Sequence, residues 1–108
     1  MTRHLPRFAL RLARTGEEVR AAQALRHRVF VAEGGARGGD RSDPARGLEA
    51  DRFDPFCEHL LLLDALTGEA VGTTRLMDGG GAARAGGFAT EAEFDIAPLR
   101  ASGRRLLE

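Results

Sequence analysis

Apolar and polar positions alternate from Phe8 to Arg14, with Phe8, Leu10 and Leu12 on one face and Arg11 on the other, which is the period of a half-buried strand. Thr15 and Glu18 then form a capping-box pair that opens a helix, and Gly34-Gly35 stops it after about Glu33. At about 100° per residue, Val19, Ala22, Leu25, Val29 and Phe30 fall on one stripe of that helix. Arg26 breaks the pattern by projecting between Val19 and Phe30, with Glu33 on the same side. A guanidinium on an apolar face either snorkels its head to water or is held inward by carboxylates, because leaving it unpaired in low dielectric costs several kcal/mol.

Between Gly34 and Gly47 the residues are mostly Gly, Asp and Arg, with no large apolar side chain, so this stretch reads as a mobile loop. Loops this long in compact domains tend to be lids or recognition segments. The chain next sets Glu49, Asp51 and Asp54 among Phe53 and Phe56, directly ahead of Leu60-Leu61-Leu62-Leu63. The leucine run reads as a strand buried on both faces. The carboxylates before it are either a solvated loop or a place where a cationic substrate is held.

Thr67-Gly68-Glu69 marks a turn, and Ala70 to Met77 reads as the returning strand of a hairpin. Val71, Thr73, Arg75 and Met77 share one face of it. Arg75 therefore lies level with the entry to Leu60, beside the carboxylates, unless it faces water on an edge strand. Gly79-Gly80-Gly81 opens a flexible segment that ends near Gly86-Gly87. Thr90 to Glu93 suggests a second capping box for one or two helical turns anchored by Phe88, Phe94 and Ile96 and ended by Pro98, and Arg104 to Glu108 reads as the opening of a further strand.

Composition narrows the chemistry. A chain of 108 residues supports one domain with a modest core. All 16 basic residues are Arg, so lysine Schiff-base chemistry is excluded, while bidentate recognition of carboxylates is available. The zero formal charge argues against general attraction to nucleic acid. One cysteine and three dispersed histidines give neither an internal disulfide nor a zinc-ligand spacing, so no metal is expected. No run is long enough to cross a membrane and no secretory signal is visible, so a cytoplasmic protein is expected. Cys57 is read as a small buried thiol rather than a nucleophile, since only His59 stands near it.

Taken in order, Leu25-Arg26-His27-Arg28-Val29-Phe30, then Glu49, Asp51 and Asp54, then Gly72-Thr73-Thr74-Arg75-Leu76, Gly87-Phe88 with Glu93-Phe94-Asp95, and Leu107-Glu108 resemble the N-terminal part of the ornithine-acyl carrier protein N-acyltransferases, often labelled hemolysin-like. More distantly the set is similar to the acyl-homoserine-lactone synthases. The resemblance implies a GNAT-like α+β fold, with a mixed or antiparallel sheet flanked by helices. It covers nearly all of residues 1–108 but about half of a family member, so a single, C-terminally truncated domain is expected.

What the resemblance implies about function follows residue by residue. Glu49, Asp51, Asp54 and Glu108 would be catalytic, and Arg26, Phe30 and Arg75 would bind substrate. A fatty acyl group, 3-hydroxylated, would pass from the phosphopantetheine thioester of acyl carrier protein to the α-amine of ornithine, giving lyso-ornithine lipid, with no permanently bound cofactor and with the product associating with the membrane surface. Carboxylates suit this chemistry because an ammonium must be held and then relieved of a proton before it attacks. Two other readings are an acyl-homoserine-lactone synthase-like enzyme, which calls for aromatic residues in the 34–47 loop where none occurs, and a truncated, non-catalytic fragment.

Overall fold

The computed structural model describes residues 6–108. Its centre is an antiparallel sheet of order β1-β2-β3, formed by Phe8–Leu12, Glu58–Asp64 and Ala70–Leu76. The hairpin turn sits where Gly68 adopts φ of 74°, a conformation glycine reaches without steric cost. Helix α1, Gly16–Arg26, crosses one face of the sheet against β2 and β3. The architecture is the expected α+β one.

Thr15 caps α1 as its spacing requires, its hydroxyl accepting from the Glu18 amide at 3.1 Å. Past Arg26 the helix does not end but widens into a π-helical stretch, His27–Glu33, before Gly34. Widening to i→i+5 bonding rotates the later side chains off the stripe set by the first turns, so Val29 and Phe30 are exposed rather than buried.

Side chains alternate across β2, and only one set is covered. His59 and Leu61 lie under α1 and are buried, whereas Leu60 and Leu62 are half-buried on the other face, beside Leu12 and Leu10 respectively. The expectation that the leucine run is buried on both faces is thus corrected. So is that for β1: Phe8, Leu10 and Leu12 are 44%, 63% and 37% exposed, and Arg11 is on the helix side, 2.9 Å from Glu18.

A second cluster forms beyond β3. Met77, Ala82, Phe88 and Ile96 are buried together, with Phe53, Phe56, Cys57, Ala85 and Leu106 packed against them. The glycines expected to be flexible instead open a helix, α2, Gly79–Ala85, because Asp78 caps it by accepting from the Gly81 amide at 2.8 Å. A Cβ at Gly81 would stand 2.5 Å from the Phe56 carbonyl oxygen, so glycine permits the close packing of α2 on the segment before β2.

The second capping box is shifted: Glu91, not Glu93, reaches back, to the Phe88 amide at 2.6 Å, and the turn is the 3-10 segment Ala89–Ala92. Pro98 lies in the first turn of a helix, α3, Ala97–Ala101, where a missing N–H costs nothing, rather than ending one. Glu108 and Met77 exchange backbone hydrogen bonds of 2.8 and 2.9 Å, a short antiparallel pairing where the sequence suggests a strand opening. No helix among the described residues is long and apolar enough to cross a membrane.

Thr15→Ala removes the side-chain cap of the helix that carries Arg26 and is expected to lower stability by about 1 kcal/mol, with Thr15→Ser restoring most of it, as read by urea unfolding.

Candidate active site

The charged residues that break the apolar pattern of α1 and β3 meet at the helix-covered face of the sheet. Arg26, at the end of α1, is buried, and its Nε donates to Glu49 Oε2 at 2.8 Å. Its Nη2 donates to Asp54 Oδ2 at 2.7 Å and to the Glu49 carbonyl at 2.9 Å. Arg75 reaches from β3 to the same carboxylate: its Nη1 lies 2.6 Å from both Asp54 Oδ1 and Asp51 Oδ1, and its Nη2 lies 2.8 Å from Asp51 Oδ2. The inward alternative for both arginines is the one realised. Asp54 is shared between two guanidiniums, and its side chain is only 5% exposed.

Two neighbours that the sequence reading did not single out complete the network. Gln23, one turn before Arg26, donates from Nε2 to Asp54 Oδ2 at 3.0 Å, and its carbonyl accepts from the Glu49 amide at 3.1 Å. His59 is buried beside Leu61, with Nε2 3.1 Å from the Asp54 carbonyl oxygen and Nδ1 3.5 Å from Arg26 Nη1. A carbonyl can only accept, so Nε2 carries the proton and Nδ1 presents its lone pair to the arginine. Their signals were a polar residue three positions before Arg26 and a histidine two before a leucine facing the core.

Above this network lies an open cleft of about 390 Å³ lined by Arg26, Phe30, Val31, Arg37, Glu49, Asp51, Thr73, Thr74 and Arg75. Five residues singled out from the sequence thus come together there, while Asp54 sits beneath them. Glu108 does not join them. It lines an adjoining concavity of about 350 Å³ with Cys57, Met77, Thr90 and Glu93, and Arg75 borders both spaces. Its carboxylate accepts from the amides of Ala89 at 3.0 Å and Thr90 at 2.7 Å, and from the Thr90 hydroxyl.

The loop over the cleft is held rather than mobile, correcting the expectation for residues 34–47. The Ala36 amide bonds the Phe30 carbonyl at 2.8 Å, the Gly39 amide bonds Glu49 Oε1 at 3.2 Å, and the Ser42 hydroxyl both accepts from and donates to Ala50. Gly39 approaches so closely that a Cβ there would lie 2.3 Å from the Ala50 carbonyl oxygen. Polar side chains and backbone do the packing that composition alone ruled out.

The pairing fixes charge states. Burial would raise the Asp51 pKa, but the hydrogen bonds and charge of Arg75, with the Phe53 amide, hold it below its ordinary value of 3.8. Hydrogen bonds to Asp51, opposed by burial, push Arg75 further up. Burial works against the charge of Arg26, but Asp54 and Glu49 outweigh it and raise its pKa. Glu108 is likewise held low: burial acts upward and the Thr90 hydrogen bonds prevail. Burial pushes the Cys57 thiol up, away from the thiolate a nucleophile needs. Among the described residues no group of His, Cys, Asp or Glu is arranged to hold a metal ion.

The match to an acetyltransferase (GNAT) domain covers residues 25–108. The chain is 50% identical over 107 residues to an L-ornithine N(alpha)-acyltransferase of Rhodobacter capsulatus, covering 94% of this chain and 40% of that relative. It is 43% identical over 105 residues to the L-ornithine N(alpha)-acyltransferase of Rhizobium meliloti (91% and 35%) and 41% identical over 106 residues to that of Brucella abortus (92% and 37%). The chain therefore spans well under half the length of these curated relatives. No solved structure matches it.

Because the folded-state pKa of Asp51 is depressed, its ion pair contributes in full above its unfolded value and is lost as pH falls through the lower folded value. Urea-unfolding stability is expected to decline below about pH 4, and Asp51→Asn to flatten that decline while lowering stability at neutral pH.

Proposed function

The chain belongs to the acetyltransferase (GNAT) domain family, and on that premise we propose that its protein transfers a 3-hydroxylated fatty acyl group from acyl carrier protein to the α-amine of ornithine. The observation that carries this reading is the mixed lining of the cleft, which joins apolar Phe30 and Val31 to charged Glu49, Asp51 and Arg75. Apolar lining suits an acyl chain, and acidic lining suits a diamino acid. The L-ornithine N(alpha)-acyltransferase relatives support ornithine as the amine.

In this reading the substrate-facing carboxylates are Glu49 and Asp51, whose side chains keep 16% and 26% of their surface exposed. Each retains lone pairs for an ammonium N–H. Asp54 acts from below, holding Arg26 and Arg75 in place. A carboxylate kept as acidic as Asp51 is a good counter-ion and a weak base, so the amine proton leaves through water rather than directly to Asp51. The neutral amine then attacks the thioester carbonyl, the N–C bond forms and the C–S bond breaks. The amine proton goes to solvent, and the pantetheine sulfur leaves as thiolate. Glu108 lines the adjoining concavity that Arg75 also borders, and is proposed to act on the thioester side.

The phosphopantetheine thioester serves as co-substrate, with no resident cofactor. Use of acyl carrier protein supports action in the cytoplasm, and the acylated product, an amphiphile, partitions to the membrane surface.

Incubating the protein with acyl-acyl carrier protein and ornithine is expected to give lyso-ornithine lipid by mass spectrometry. Wild type should prefer ornithine to norvaline, which lacks the side-chain ammonium, and Asp51→Asn should erode that preference by about tenfold or more, the scale of one charge-assisted hydrogen bond. Acylation of other amines but not ornithine would contradict the reading.

A further inference from the structure

Both arginines that the resemblance implicates in substrate binding are already engaged. Every nitrogen of Arg26 faces a partner: Nε meets Glu49, Nη2 meets Asp54 and the Glu49 carbonyl, and Nη1 meets His59. Arg75 has both terminal nitrogens on Asp51 and Asp54. Counting charges, three carboxylates face two guanidiniums, so the network carries one surplus negative charge and has no cation to spare for an incoming carboxylate. An α-carboxylate brought against this wall meets repulsion unless another cation stands at the cleft.

Arg37 is that cation. It lines the same cleft, it is exposed, and it forms no ion pair or side-chain hydrogen bond among the described residues. Its position is set by its neighbours: Ala36 is bonded to the carbonyl of Phe30 and Gly39 to the carboxylate of Glu49, both cleft residues. The glycine contact at Gly39 against Ala50 allows the chain to pass this close.

We propose that Arg37 binds the α-carboxylate of the amino-acid substrate, since the charges of Arg26 and Arg75 are already paired with the three carboxylates. This rests on the ornithine reading above. A guanidinium matches a carboxylate with two parallel N–H donors, and one on a polar loop loses little on leaving water. With Arg37 on the carboxylate and the surplus acidic charge on the side-chain ammonium, both ends of the amino acid are oriented and its α-amine lies between them.

The test compares ornithine with putrescine, the same diamine without the carboxylate, by titration calorimetry and acylation kinetics on wild type, Arg37→Ala and Arg37→Lys. Arg37→Ala is expected to weaken ornithine binding and raise its KM by about 10- to 100-fold, with little change for putrescine, and Arg37→Lys to recover part of the loss. Arg37 is exposed and makes no side-chain hydrogen bond or ion pair among the described residues, so circular dichroism of both variants should match wild type. If wild type favours ornithine over putrescine and Arg37→Ala keeps that preference, the Arg37 assignment fails while the ornithine reading stands. If wild type shows no preference for ornithine or does not bind it, both fail. An equal loss for both ligands would make the effect structural and would also overturn the assignment.

Discussion

One carboxylate joins the three parts of this fold that carry charge inward. Asp54 accepts from Arg26 at the end of α1 and from Arg75 on β3, and its backbone carbonyl accepts from His59 on β2. A buried charge left without partners is costly, and a well-bonded network repays that cost only when every member is satisfied. The helix end, the acidic segment and the sheet therefore cannot move independently without leaving a buried charge exposed to low dielectric. Burial of Leu61, Ala22 and Leu25 supplies cohesion, but the ion network fixes orientation.

That constraint also shapes the cleft. Because Asp54 absorbs part of both guanidiniums, Glu49 and Asp51 are presented at the surface with defined oxygens, and Thr73 and Arg75 line the cleft with them. The π-helical stretch after Arg26 turns Phe30 and Val31 to the same space. Widened turns of this kind recur at functional sites because they redirect side chains at little cost in backbone bonding. Here the redirection brings apolar side chains into a cleft otherwise lined by charge.

Much of this was legible wherever a residue contradicted its surroundings. Arg26 on an apolar stripe and Arg75 on a mostly apolar strand face demanded counter-charges, and the spacing of Glu49, Asp51 and Asp54 ahead of the leucine run offered them. The hairpin, the Thr15 cap and the stop at Gly34 were local signals that local chemistry honours. What escaped the sequence depends on tertiary placement. Helical periodicity assumes an unbroken α-helix and so puts Phe30 on the buried stripe; only the resemblance, not the pattern, set it at the cleft. Apolar alternation in β1 says which side chains share a face but not whether α1 covers that face, and it covers the other. Glycine runs suggest flexibility, yet Asp78 and the approach of the Phe56 carbonyl make a helix of Gly79–Ala85. His59 and Gln23 look ordinary until the buried Asp54 and Arg26 beside them need partners.

The most direct measure of a single network through Asp54 is a double-mutant cycle between Arg26→Ala and Arg75→Ala, with stabilities from urea unfolding. Arg26 and Arg75 meet through Asp54, so the account expects a coupling energy of about 1 kcal/mol or more. Effects that add within about 0.5 kcal/mol would show two independent ion pairs and contradict it.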